Sequence, residues 1–62
     1  MESETKRCLE KSVDAAGVLV ANLRELAKFA NTEKERALSV LALQMLEHSV
    51  RVRETLESLL PE

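Results

Sequence analysis

Apolar residues recur through the first half of the chain at spacings that alternate between four and three. This line consists of Leu9, Val13, Ala16, Val20, Leu23, Ala27 and Ala30. Charged residues occupy the opposite face, at Glu10, Lys11, Asp14, Arg24, Glu25 and Lys28. The alternation matches the heptad repeat by which one helix packs against another. It predicts a first helix over about residues 4–30, with Ser3 as its N-cap.

A second line with the same spacings runs through the other half of the chain. It consists of Leu38, Ala42, Met45, Ser49, Val52, Leu56 and Leu59. Pro61 ends the pattern, because its ring removes a backbone donor and clashes with the preceding turn of a helix. This half of the sequence therefore predicts a second helix over about residues 33–60.

The two lines are out of phase, so one unbroken helix would place charged residues such as Glu33 and Glu47 in the apolar seam. A turn at about residues 31–32 removes this conflict. Asn31 tolerates the left-handed conformation that ends many helices. Thr32 and Glu35 have the spacing of a capping box at the start of the next helix. The sequence therefore predicts one domain over residues 1–62, an antiparallel helical hairpin.

Residues 37–46 carry no charge and, apart from Ser39 and Gln44, are apolar on every side of a helix. A helix that is apolar all round is normally buried all round. One neighbouring helix covers only part of it. The stretch therefore favours a further packing partner outside the hairpin.

Folding at residues 31–32 places residue i near residue 63 − i, so residues 18–23 would lie beside residues 40–45. After the hairpin has closed, an apolar set would still face water. We expect this set to form the dimer interface: Val18, Ala21, Val40, Leu43, Leu46 and Val50. The predicted fold is all-α, a hairpin of two long helices that dimerises into a four-helix bundle.

Size and composition support self-association. A chain of 62 residues buries too little surface to be comfortably stable alone. With one cysteine and one histidine, neither a disulfide nor a structural metal site can be built within one chain. A second copy is then the remaining source of stability.

Charge and hydropathy limit the partners and the location. The net charge is −2 and both signs are interspersed, so no strong field is available to attract nucleic acid or an anionic membrane. No apolar run approaches the roughly 20 residues that span a bilayer, and no signal-type hydrophobic core follows the N-terminus. We expect a cytoplasmic protein with no membrane partner.

Gly17 is the only glycine and falls in the middle of the first predicted helix. Such a glycine costs roughly 1 kcal/mol relative to alanine. Two interpretations stay open. Gly17 belongs to a patch of small residues, with Ala15, Ala16 and Ala21, where another helix approaches closely, or it is tolerated on a loose surface.

Candidate catalytic and metal-binding residues are few. His48 has no second histidine or cysteine as a metal partner, and Glu47 directly precedes it, which is not the Glu-x-x-His spacing of di-iron bundles. Cys8 has no histidine near it in sequence for nucleophilic catalysis. Glu54 and Glu57 are one acidic pair where a bundle metal site needs two. We therefore expect no enzyme activity, no cofactor and no metal.

Basic residues near the open end of the hairpin provide an alternative function. Level pairing would bring Lys6, Arg7 and Lys11 beside Arg51 and Arg53. Such a cluster can neutralise phosphates, although the chain has no aromatic stack and acidic residues lie among the basic ones. Nucleic acid is therefore the second choice of partner.

In length and helix-turn-helix layout the whole chain resembles the Rop family, small plasmid regulators whose two hairpins form a four-helix bundle that binds paired RNA loops. The resemblance is architectural, without a matching run of residues, and small helical-hairpin chaperones of secretion systems are similar at this level. The sequence favours a non-enzymatic homodimer that binds a protein partner as a regulator, adaptor or chaperone. A Rop-like RNA-binding regulator is the alternative.

Overall fold

Two helices packed against each other make up the protein in the computed structural model, which describes residues 1–61. The first, α1, spans Ser3–Thr32, and the second, α2, spans Arg36–Ser58. The molecule measures 47 × 14 × 14 Å, as expected for a rod whose length is that of its longer helix at about 1.5 Å per residue. The all-α helical hairpin predicted from the sequence is confirmed.

The turn between the helices is built differently from the prediction. The amide of Glu35 donates to the carbonyl oxygen of Ala30 at 2.8 Å, and the amide of Lys34 donates to that of Asn31 at 3.2 Å. These are the two hydrogen bonds of a Schellman motif, which closes a helix with one left-handed residue. Here that residue is Lys34, with φ of 63°, and not Asn31.

The predicted caps are absent. Thr32 still belongs to α1, and its hydroxyl donates to the carbonyl oxygen of Lys28 at 3.0 Å instead of capping α2. Glu35 holds the N-cap position of α2 without a side-chain hydrogen bond. Ser3 is the first residue of α1, and Glu2 precedes it as an N-cap that likewise makes no side-chain bond.

The apolar line predicted for α1 is the line that packs against α2. Val13, Val20, Ala27 and Ala30 are buried, and the remaining members, Leu9, Ala16 and Leu23, are half-buried. The prediction for this helix is therefore confirmed at every position.

The line predicted for α2 is confirmed at Ala42, Ser49 and Leu56 and is wrong by one position at its other four members. Leu38, Met45, Val52 and Leu59 are 42%, 47%, 39% and 58% exposed. The buried or half-buried line is Ser39, Ala42, Leu46, Ser49, Leu56 and Leu60. The helix is thus turned slightly from the predicted orientation, and the small residues Ser39, Ala42 and Ser49 are the most buried on its inner side. Small residues let two helix backbones approach closely, which increases the packing of all the groups between them.

The register of the hairpin follows from the turn. Because the turn occupies residues 33–35, centred on Lys34, residue i of α1 is level with roughly residue 68 − i to 69 − i of α2. The buried lines obey this relation, and Arg53 lies beside Gly17 accordingly. Residues 18–23 therefore lie beside roughly residues 46–51 and not residues 40–45. The predicted register is wrong by five to six residues, or about 8–9 Å along the axis.

The apolar core of one chain is small. Its buried apolar residues are two valines and three alanines, and no large side chain is fully buried among the described residues. The accessible surface is 5028 Å², whereas a compact monomer of this mass exposes about 4,000 Å². One hairpin therefore leaves about 1,000 Å² more surface in water than a compact chain of 7.0 kDa.

Candidate interaction surfaces

One side of the hairpin carries a row of shallow hollows lined by both helices. Arg24 lines three of them, together with Leu46 and Val50 of α2. Leu43 and Lys28 line the hollow nearest the turn. We call this side the grooved face; its lining residues include Arg24, Lys28 and Asn31 of α1 and Leu43, Leu46, Glu47, Val50, Glu54 and Glu57 of α2.

The opposite side of the hairpin is formed by two lines of residues without a charged member, although Arg51 reaches a hollow on this side beside His48 and Lys28 lies next to Phe29. Since the grooved flanks of α1 and α2 share one side, the other flanks of the two helices share the other side. On α1 this flank reads Cys8, Ser12, Ala15, Leu19, Asn22, Leu26 and Phe29; on α2 it reads Leu38, Leu41, Met45, His48, Val52, Thr55 and Leu59. All of these residues are exposed. We call this side the uncharged face.

The uncharged face exposes large apolar side chains, among them Leu19, Leu26, Phe29, Leu41 and Met45. More than half of Phe29 is exposed, and the ammonium of Lys28 lies 5.8 Å from its ring centroid. Contiguous apolar surface of this kind usually marks an interface in a folded protein.

The six residues predicted as the dimer interface fall in different places. Val40, Leu43 and Ala21 are exposed on the grooved flank, and Leu46 and Val50 are half-buried in its hollows. Val18 is 61% exposed on the outer surface of α1. The structure thus brings most of the set to the grooved side and leaves Val18 apart from it. Their role as an interface stays a prediction.

Gly17 packs against a side chain of α2. A Cβ at this position would lie 3.3 Å from Cζ and 3.5 Å from Nε of Arg53. Nε of Arg53 in turn lies 2.8 Å from a carboxylate oxygen of Glu57. The atoms nearest to this Cβ belong to the end of a flexible side chain and not to the backbone of α2, and Ala15 and Ala21 are exposed. The structure therefore does not show a close helix crossing at a patch of small residues.

The basic residues proposed for nucleic acid do not gather at one place. Arg7 pairs with Glu4 at 3.2 Å, and Arg53 is engaged by Glu57 and lies over Gly17. In the observed register Lys11 is level with about residue 58, so Arg51 lies roughly 10 Å from it along the axis. The RNA-binding alternative stays a prediction, and this placement does not favour it.

The remaining candidates for chemistry are dispersed. His48 and Cys8 are both exposed on the uncharged face, about 40 residues apart in sequence, and Cys8 is a free thiol. Within residues 1–61, no three His, Cys, Asp or Glu side chains come together in a group that could hold a metal ion. Neither helix in this part of the chain is long and apolar enough to cross a membrane.

Comparisons with protein-family models, curated proteins and solved structures give no match to this chain. Its function is therefore argued from its own surface.

Proposed function

We propose that this chain is a non-enzymatic helical-hairpin protein that works as a homodimer and acts by binding a helix of another protein. The observation that carries the proposal is the exposed apolar surface on both sides of a hairpin whose own core is thin. Regulators, adaptors and chaperones built from helices act in this way, by laying one helix face against another.

The thin core supports the dimer. Two valines and three alanines form the buried apolar interior of the chain. Small domains without a disulfide or a metal gain the missing stability by association, and burying apolar area contributes about 25 cal/mol per Å². Leucines and a methionine that face water in one chain would supply this area at a contact with a second chain.

The grooved face supports the role in protein binding. Leu43 and Val40 stand exposed beside hollows that both helices line, and Arg24, Lys28 and Glu47 border them. An amphipathic helix can place apolar side chains at i, i+3 and i+4 into such hollows and its charged residues against the border. When a second copy covers one side of each hairpin, the other side remains for such a partner.

Sedimentation equilibrium over a wide range of concentrations tests the dimer, which has twice the 7.0 kDa of one chain. A mass of one chain at every concentration, with full helicity, contradicts the homodimer. Affinity capture from the native lysate, followed by mass spectrometry, tests the partner. Capture must fail with Leu43→Glu and persist with Gln44→Glu, which places the same charge on the neighbouring residue, outside both faces.

A further inference from the structure

We propose that the uncharged face is the surface on which a second copy of this chain packs. The inference rests on the proposed homodimer and assigns the surface that forms it. It departs from the interface expected from the sequence, because most of that earlier set lies on the grooved side.

The distribution of charged residues distinguishes the two faces of the hairpin. The chain as a whole is rich in charge, since 32% of its residues are Asp, Glu, Lys or Arg. The two lines that define the uncharged face contain none of them, and Arg51 and Lys28 stand at its border, beside His48 and Phe29. Burying an unpaired charge costs several kcal/mol, so this face, whose charges lie at its border, can be covered at a lower cost than the grooved face. The grooved face, in contrast, contains Arg24, Glu47 and Glu54.

The accessible surface of one hairpin is larger than that of a compact chain by about the area of one interface. One hairpin exposes about 1,000 Å² more than a compact chain of its mass. A stable interface of standard size buries about 800 Å² on each partner. The surplus therefore suits one interface along one side of the rod.

The length and width of the uncharged face indicate which molecule covers it. The uncharged face extends along nearly the whole of both helices, over a rod 47 Å long. A single partner helix would cover the line between α1 and α2 on this face and leave the apolar side chains on either side of it exposed to solvent. A second hairpin has the same length, the same width and the same neutral face. It closes the surface by two-fold symmetry and leaves no further copy to recruit.

The test uses three consecutive residues of α2. Met45→Glu places a charge on the uncharged face, Leu43→Glu places it on the grooved face, and Gln44→Glu places it on neither. Met45 and Leu43 are 47% and 51% exposed in one chain, so the folded hairpin itself should tolerate both changes similarly. We expect Met45→Glu to weaken the dimer at least a hundredfold in sedimentation equilibrium, whereas the other two variants keep the dissociation constant of the wild type within a few-fold.

Alkylation of an introduced thiol provides a second measurement that does not depend on a destabilised variant. In a Cys8→Ser background, Leu41→Cys and Val40→Cys lie on the two different faces, and the native residues are equally exposed at 53% and 54%. Raising the protein concentration should slow maleimide labelling at position 41 at least tenfold and leave position 40 unchanged.

The outcomes separate the two proposals. A wild type that never exceeds the mass of one chain overturns the homodimer itself. A wild-type dimer that survives Met45→Glu but not Leu43→Glu, with protection at position 40 and not at 41, overturns only the assignment of the face and restores the interface first predicted. A dimer that resists both charges, with labelling at position 41 independent of concentration, also overturns the assignment.

Discussion

The guanidinium group of Arg53 lies across Gly17, with Cζ 3.3 Å from the place where a Cβ would be. A methyl group there requires Arg53 to move by a few tenths of an ångström. This arginine can move, since its side chain is 46% exposed. The mid-helix glycine therefore reflects a contact with a flexible side chain and not with backbone.

Gly17→Ala should stabilise the hairpin. Replacing a mid-helix glycine by alanine gains up to about 1 kcal/mol, and the shift of Arg53 removes part of it. We expect a net gain of about 0.5 kcal/mol, measured by urea denaturation at a fixed protein concentration, because association also contributes to stability. Gly17→Leu, which has no room beside Arg53, is the matched control and should destabilise the protein. Equal stability of the two variants would show that Arg53 is not held at this position.

Lys34→Gly should also stabilise the protein. Lys34 is the left-handed residue of the turn, with φ of 63°, a conformation that disfavours residues with a Cβ by about 1 kcal/mol. Glycine removes this strain, so the free energy of unfolding should rise by up to about 1 kcal/mol. Glu33→Gly is the control: Glu33 has φ of −87°, and glycine there should destabilise. The prediction is wrong if both substitutions lower the midpoint of thermal unfolding.

An engineered disulfide can check the register. In a Cys8→Ser background, the pair Ala27→Cys and Ala42→Cys joins two buried positions that face each other across the hairpin. We expect this pair to oxidise within one chain, because disulfides form only when the Cα atoms lie within about 7 Å. The pair Ala21→Cys and Ala42→Cys matches the register first predicted and should stay reduced. Mass spectrometry of dilute, oxidised protein distinguishes an intramolecular bond from a crosslinked dimer.

Sequence reasoning predicted α1 correctly because its apolar residues leave a single choice. The line from Leu9 to Ala30 is apolar at every position, whereas Ser12 and Asn22 interrupt the neighbouring line and charged residues occupy most of the outer face. In α2 two neighbouring lines have the spacing of a seam. Both lines contain Ala42, Ser49 and Leu56. The prediction completed the line with Leu38, Met45 and Val52, whereas the structure completes it with Ser39, Leu46 and Leu60. Hydrophobicity ranks the first line higher, but close approach of the helices selects the second.

The turn could not be predicted in detail for a related reason. Thr32 and Glu35 fit a capping box by residue type, yet the backbone closes α1 with a Schellman motif whose left-handed residue lies three residues after Asn31. That motif usually contains glycine or asparagine at its left-handed position, and here it contains Lys34. The shift of the turn changed the register, and with it the neighbours of every residue on α2.

The observed orientation of α2 assigns intramolecular packing and intermolecular binding to different residues. Ser39, Ala42 and Ser49 are buried against α1 within the hairpin. Leu38, Met45 and Val52 are exposed and can contact another molecule. Natural variation in the second group can therefore alter the strength or choice of assembly while each chain keeps its shape. Folding of the hairpin and binding of another molecule can therefore evolve independently on α2.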